Sequence, residues 1–227
     1  MMLSTVEWQA FWLSFKVASV SVAGLLVPGI ALSWILAKTR IRGKTALDTL
    51  ATLPLVLPPV VTGYVLLVLF SRRGPFGSLL YRLFGWEIAF TWPAAALASA
   101  VIAFPLFVRA VQVAMEGIDP KLEQAARTLG NGPWYVFFTV TLPLSARGVI
   151  AGAILAFSRS LGEFGATIMV AGNIPGRTQT IPLAIFNAVQ IGQEGSAVRL
   201  ILVVTILAFL TLYLTQWLLA RGEARVR

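Results

Sequence analysis

Arg159 and Glu163 stand four residues apart inside the apolar run 149–171, in the string Phe157-Ser158-Arg159-Ser160-Leu161-Gly162-Glu163-Phe164-Gly165-Ala166-Thr167. At that spacing a helix brings both charges to one face, where they can pair. A charge facing lipid at the helix centre costs at least about 2.5 kcal/mol, so both side chains are expected to turn inward. Two readings stay open: a structural ion pair that sets register, or a polar element beside a substrate path. Gly162 and Gly165 permit close backbone approach, an ordinary packing device in membranes.

Other chemistry is scarce. The chain has no His and no Cys, which removes thiol reactions, zinc sites built on these ligands, Ser-His-Asp triads and imidazole switches near neutral pH. Glu163 is the one acid deep in an apolar run, so there is no carboxylate cluster for acid–base work. The expectation is no catalytic residue, no metal and no cofactor. A nucleotide loop is missing too: Gly43-Lys44-Thr45 has Lys38 where the first glycine of a phosphate-binding loop belongs.

The elements that position these residues must be membrane helices. Hydrophobic residues make up 58% of the 227 positions and charged residues 12%, too apolar for a domain that covers its outside with charge. The net charge of +9 lies between apolar runs and not in a stripe with interleaved aromatics, so lipid is the expected partner and nucleic acid is not. About 20 residues cross the hydrocarbon, and five stretches qualify: 17–37, 50–70, 94–113, 149–171 and 200–219. The first is too long and lacks the positive flank of a cleavable signal. The fold class is therefore all-α, a polytopic membrane helix bundle of about five transmembrane helices. A sixth segment is left open in 71–92, where Arg72, Arg73, Trp86, Phe90 and Trp92 suit an interfacial or re-entrant helix.

Eleven positive residues fall on one side of these spans: Lys38, Arg40, Arg42, Lys44, Arg109, Lys121, Arg127, Arg147, Arg221, Arg225 and Arg227. Four fall on the other: Arg72, Arg73, Arg82 and Arg177. The richer side is expected to be cytoplasmic, with the N-terminus outside and the C-terminus cytoplasmic. The second span carries Pro54, Pro58 and Pro59, which delete donors that lipid cannot replace. Such backbone must face protein or a water-filled path, as a kinked packing helix or as the lining of a conduit.

Segment 117–143 has an organisation of its own. Asp119 can cap a helix that begins at Pro120, and Gly130 suits the left-handed residue that ends it. Leu122, Ala125, Ala126 and Leu129 give it a narrow apolar stripe. A second short helix is expected from Pro133, with Trp134, Phe137 and Phe138 on one face, stopping near Leu142-Pro143. The pattern Ala125-Ala126, three residues, Gly130, nine residues, Val140, one residue, Leu142-Pro143 resembles the "EAA" cytoplasmic coupling loop of ABC importer permeases, with Gln124 at the place of the family's Glu and Glu123 just before it.

The strings 53–61, 159–167 and Asn173-Ile174-Pro175-Gly176 with Thr178 and Thr180-Ile181-Pro182 resemble molybdate permease subunits of the type I importer kind, and less closely sulfate permeases. The resemblance implies a single transmembrane domain over 1–227 that imports molybdate, tungstate or sulfate across the bacterial inner membrane. It implies three protein partners: a second copy of the chain, a separate ABC ATPase subunit and a periplasmic oxyanion-binding protein. Glu123, Gln124, Ala125, Ala126, Gly130, Leu142 and Pro143 would couple to the ATPase. Pro58, Pro59, Ser158, Arg159, Ser160, Glu163 and Thr167 are candidates for the translocation path, where hydroxyls, backbone amides or helix N-termini would serve a tetrahedral dianion in place of fixed positive charge. The rival reading is an ion-coupled secondary transporter of an anion, which usually shows repeated halves; no second copy of the proline-rich span or the elbow is visible. A scaffold or membrane-embedded enzyme is the third class, and the missing His, Cys and clustered acids oppose the enzyme.

Overall fold

A computed structural model describes residues 3–39 and 41–223. Arg40, Arg225 and Arg227, and with them the Arg221 side chain, lie outside what is described, so the orientation there rests on the sequence alone. The described residues form helices joined by short turns, with no strand among them.

Helix α1 (Thr5–Lys38) begins twelve residues before the expected 17. Glu7 and Lys16 do not stop it because both find partners. Ser4 and Glu7 close a capping box, the Glu7 carboxylate pairs with Arg199 at 2.7 Å, and Lys16 Nζ sits 3.7 Å from the centre of the Trp92 ring.

The expected span 50–70 is two helices, α2 (Lys44–Val56) and α3 (Pro59–Phe70), bent by 112°. A residue before proline is pushed out of the helical region. Two consecutive prolines therefore hold both Leu57 (ψ 139°) and Pro58 (ψ 132°) extended. What the sequence left as a kink is a corner.

The sixth segment left open by the sequence takes the form of a short helix. Within 71–92 the chain forms α4 (Pro75–Phe84), about 15 Å long and too short to cross. It folds back on the end of α3, where Gly74 and Gly77 lie against backbone carbonyls. Arg72 pairs with Glu87 at 3.3 Å and donates to the Tyr81 hydroxyl.

Helix α5 (Trp92–Glu116) runs parallel to α1: Lys16 meets Trp92 near one end, and Ser33 Oγ donates to the Val108 carbonyl at 3.0 Å near the other. Its buried Ala94, Ala95, Ala98, Ser99 and Ala103 let the neighbouring helices pack close.

After α6 (Pro120–Thr128) come α7 (Pro133–Val136), a π-helical segment Phe137–Thr141, and α8 (Leu142–Leu161). These three are one uninterrupted helix, Pro133–Leu161. The expected stop at Leu142-Pro143 does not occur, because the ladder widens just before the proline: the Leu142 amide donates to the Phe137 carbonyl, five residues back. The span expected at 149–171 does break, however. Helix α8 ends with Gly162 as its cap, and α9 (Gly165–Ala171) starts afresh. A ten-residue apolar helix, α10 (Ile181–Gln190), occupies what the sequence left as a connection, and α11 (Glu194–Glu223) closes the chain. By length and composition this makes four single helices and one bent pair able to cross a membrane.

Candidate coupling elbow and translocation path

The elbow is built as its spacing predicts at its start and its turn. Asp119 caps α6 by accepting from the Lys121 amide at 2.9 Å, with Pro120 in the first turn. Gly130 has φ +83° with open space where a Cβ would stand, and Asn131 donates its side-chain amide to the Ala126 carbonyl at 3.0 Å. Leu122, Ala125, Leu129, Trp134, Tyr135 and Phe138 are all exposed, Leu129 to 81%. The stripe found in the sequence is thus uncovered in the single chain, and aromatic side chains of the following helix extend it.

Trp134, Phe137 and Phe138 do not behave alike. Phe137 is buried and its ring stands 5.2 Å from that of Trp34, which also meets Trp134 at 5.4 Å; Phe138 is 61% exposed. Gln124 is exposed and Glu123 is buried. The Glu123 carboxylate takes the Lys38 ammonium at 3.3 Å and the Thr141 hydroxyl at 2.7 Å, so it faces its own helix bundle. Leu142 is partly buried, and Pro143 is exposed on the widened turn.

The second constellation lies where two helices break. Arg159 Nη1 and Glu163 Oε2 pair at 2.9 Å, with Glu163 buried and Arg159 about one-third exposed. They do not share one helix face, as the spacing alone suggested. Glu163 stands past the end of α8, and its other oxygen accepts from the Ala166 amide at 2.9 Å in the first turn of α9. One carboxylate thus ties the last turn of α8 to the first of α9. Ser160 lies 3.1 Å from Ser21, near the middle of α1, so α8 ends about halfway along its neighbour. Helix α9 carries the chain onward to the start of α5, where the Phe90 amide donates to the Val170 carbonyl.

The other break meets this one. A Cβ on Gly165 would stand 2.9 Å from Pro59 Cβ, and one on Gly63 would stand 2.6 Å from the Ala166 carbonyl oxygen. The two glycines therefore seat α9 on the first turns of α3. Of the path candidates, Pro58 and Pro59 are exposed, Ser158 and Arg159 are half-buried, and Ser160, Glu163 and Thr167 are buried. Ser158 donates to the Ile154 carbonyl, while the Thr167 hydroxyl is buried without a hydrogen-bond partner.

Sequence reasoning missed two groups. The Glu7 carboxylate, with Arg199 and Ser196, ties the first turn of α1 to α11; the capping-box spelling Ser4-x-x-Glu7 was the available signal. Arg109 pairs with Asp48 at 2.9 Å and fastens α2 to α5, and nothing local in the sequence announces that contact.

The family model described as binding-protein-dependent transport system inner membrane component matches residues 29–226. The chain belongs to this family. As a member it resembles, over nearly its full length, the molybdenum transport system permease protein ModB of Escherichia coli, at 53% identity over 219 residues and 96% of each chain. The ModB protein of Haemophilus influenzae is 50% identical over 222 residues and 97% of each chain. A solved chain of the MetNI methionine ABC transporter, in inward-facing conformations, shares the fold with a TM-score of 0.73, 95% coverage of each chain and 17% identity. For this permease family member the all-α membrane bundle and the multi-pass transport role follow directly.

Proposed function

We propose that the chain is the membrane-spanning subunit of an ATP-driven molybdate importer of the bacterial inner membrane. The near-full-length identity to proteins named molybdenum transport permeases supports the substrate class. Tungstate and sulfate, dianions of the same tetrahedral shape, are the competitors to be tested beside it. The uncovered apolar face of the elbow carries the energetic half of the reading. An exposed run of Leu122, Ala125, Leu129 and Trp134 on a short helix outside the spans needs a protein partner, and a separate ATPase subunit fits it. Ala125, Ala126 and Gly130 let the partner come close, with Gln124 at the edge. An ion-coupled secondary transporter would have no use for such a face.

The path lies against a second copy of the chain, along the broken helices. In that arrangement Pro58, Pro59, Ser158 and Arg159 border the route, and the exposed Val61, Tyr64 and Val65 of α3 flank it. A periplasmic oxyanion-binding protein delivers the anion on the outer side, where α4 and 172–180 lie, while the elbow and C-terminus are cytoplasmic. Residues 1–227 act as one transmembrane domain, with 117–143 as its coupling loop.

The test is reconstitution in liposomes with the cognate ATPase and binding protein. Molybdate-loaded binding protein is expected to stimulate ATP hydrolysis and to drive uptake, more strongly than sulfate-loaded protein. Uptake by the chain alone under an ion gradient, without ATPase, would overturn the proposal.

A further inference from the structure

Helix α6 has one buried side chain, and that side chain is a carboxylate. We infer that Glu123 is a positioning residue that clamps the coupling elbow to two spans at once, so that movement of α6 enters α1 and α8 together. The inference rests on reading α6 as the ATPase-docking helix. It gives Glu123 a different role from Gln124 and the alanines, which lie on the outer side of the same helix.

The geometry is specific. Lys38, on one carboxylate oxygen, is the last residue of α1; Thr141, on the other, is the last residue of the π-helical segment that opens α8. Thr141 is 1% exposed and Glu123 8%, so neither contact is a solvated surface pair. Apolar packing is non-directional and lets a helix slide, whereas an ammonium and a hydroxyl on the two oxygens fix position and orientation. On its other flanks α6 is joined by the turn Gly117-Ile118-Asp119 and by the Gly130-Asn131-Gly132 link. Trp34, in tilted ring contact with Trp134 and Phe137, holds the end of α1 to the same helix and keeps the clamp's two anchor points together. From Thr141 one continuous helix leads to Arg159, Glu163 and the seat of α9 on Pro59.

Intermediate position in space does not by itself show coupling, so the experiment must separate transmission from folding. The reconstituted complex is measured for three readouts: co-purification of ATPase, ATP hydrolysis, and molybdate taken up per ATP. Thr141→Val removes the donor at constant shape, Lys38→Met removes the ammonium, and Thr141→Ser restores the donor. Thr141→Val and Lys38→Met are expected to hold the ATPase yet lose about tenfold in uptake per ATP, Thr141→Ser is expected to match the unsubstituted protein, and the exchange Lys38→Glu with Glu123→Lys is expected to regain most of the loss. Unchanged uptake per ATP in both single variants would overturn the clamp. So would reduced membrane abundance with full coupling in the surviving protein, since that is a structural role only, and so would loss of ATPase binding, since Glu123 would then belong to the docking contact. Failure of the unsubstituted chain to hold the ATPase would instead overturn the docking reading.

Discussion

At position 163 the carboxylate meets the Arg159 guanidinium with one oxygen and the Ala166 amide with the other, and substitutions divide the two contacts. Glu163→Gln keeps an acceptor for Ala166 but leaves Arg159 unpaired; Glu163→Ala loses both. Breaking a buried pair costs about 3–5 kcal/mol, toward the lower end here because Arg159 is partly solvated, and losing a helix cap adds about 1 kcal/mol. Membrane abundance and uptake should fall from the unsubstituted protein through Gln to Ala, read by immunoblot and transport assay. Exchanging the two residues restores the charge pair but not the cap, because arginine has no acceptor, so recovery should be partial. Equal behaviour of Glu163→Gln and the unsubstituted protein would make the pair unimportant. Gly130 gives a cleaner case. With φ +83° and open space where a Cβ would stand, Gly130→Val carries a backbone strain of about 1–3 kcal/mol. The variant is expected to insert normally and to lose ATPase in a detergent pull-down. The left-handed glycine was legible because capping chemistry is local. The inward turn of Glu123 was not, since it depends on Lys38 and Thr141, which the fold alone brings to it.

Helices that end in mid-bundle test the contact between α3 and α9. A Cβ at Gly63 would stand 2.6 Å from the Ala166 carbonyl oxygen and 2.7 Å from its Cα, so Gly63→Ala must push the two backbones apart. Overpacking of this kind costs about 1–3 kcal/mol, and a lower melting temperature in detergent is expected. Gly24→Ala, in α1 with open space around it, is the control; helix propensity favours it by about 1 kcal/mol, so it should melt no lower than the unsubstituted protein. The apolar runs revealed that these segments enter a membrane, because hydropathy averages over turns. They hid where helices stop, because Gly162 and Phe164 are no more polar than what surrounds them, and the break is visible only as the carboxylate of Glu163 turning back to cap α9. Pro58 and Pro59 announced a disturbance, but a 112° corner depends on α2 being held against α5, as by Asp48 and Arg109, which is tertiary information.

For the whole molecule the composition was the strongest guide: a chain with 58% hydrophobic residues and positive clusters between its apolar runs can fold only with lipid around it. Its sidedness is open to direct measurement in a protein without cysteine. A single cysteine at Ser78, in α4, should react with a membrane-impermeant reagent on intact cells, and one at Thr128, in α6, only after permeabilisation; the opposite pattern would invert the topology. The continuous helix Pro133–Leu161 adds a mechanical consequence. It approaches α5 closely at Gly148 and Gly152, which meet Ala114 and Ala110. A stiff rod held there has a fulcrum, with an arm of about 25 Å toward the elbow and about 17 Å toward the break at Gly162. Displacement at the elbow then arrives at the seat of α9 reversed in direction and reduced to about two thirds. By the same ratio a force applied at the elbow end would be increased by about half at that seat.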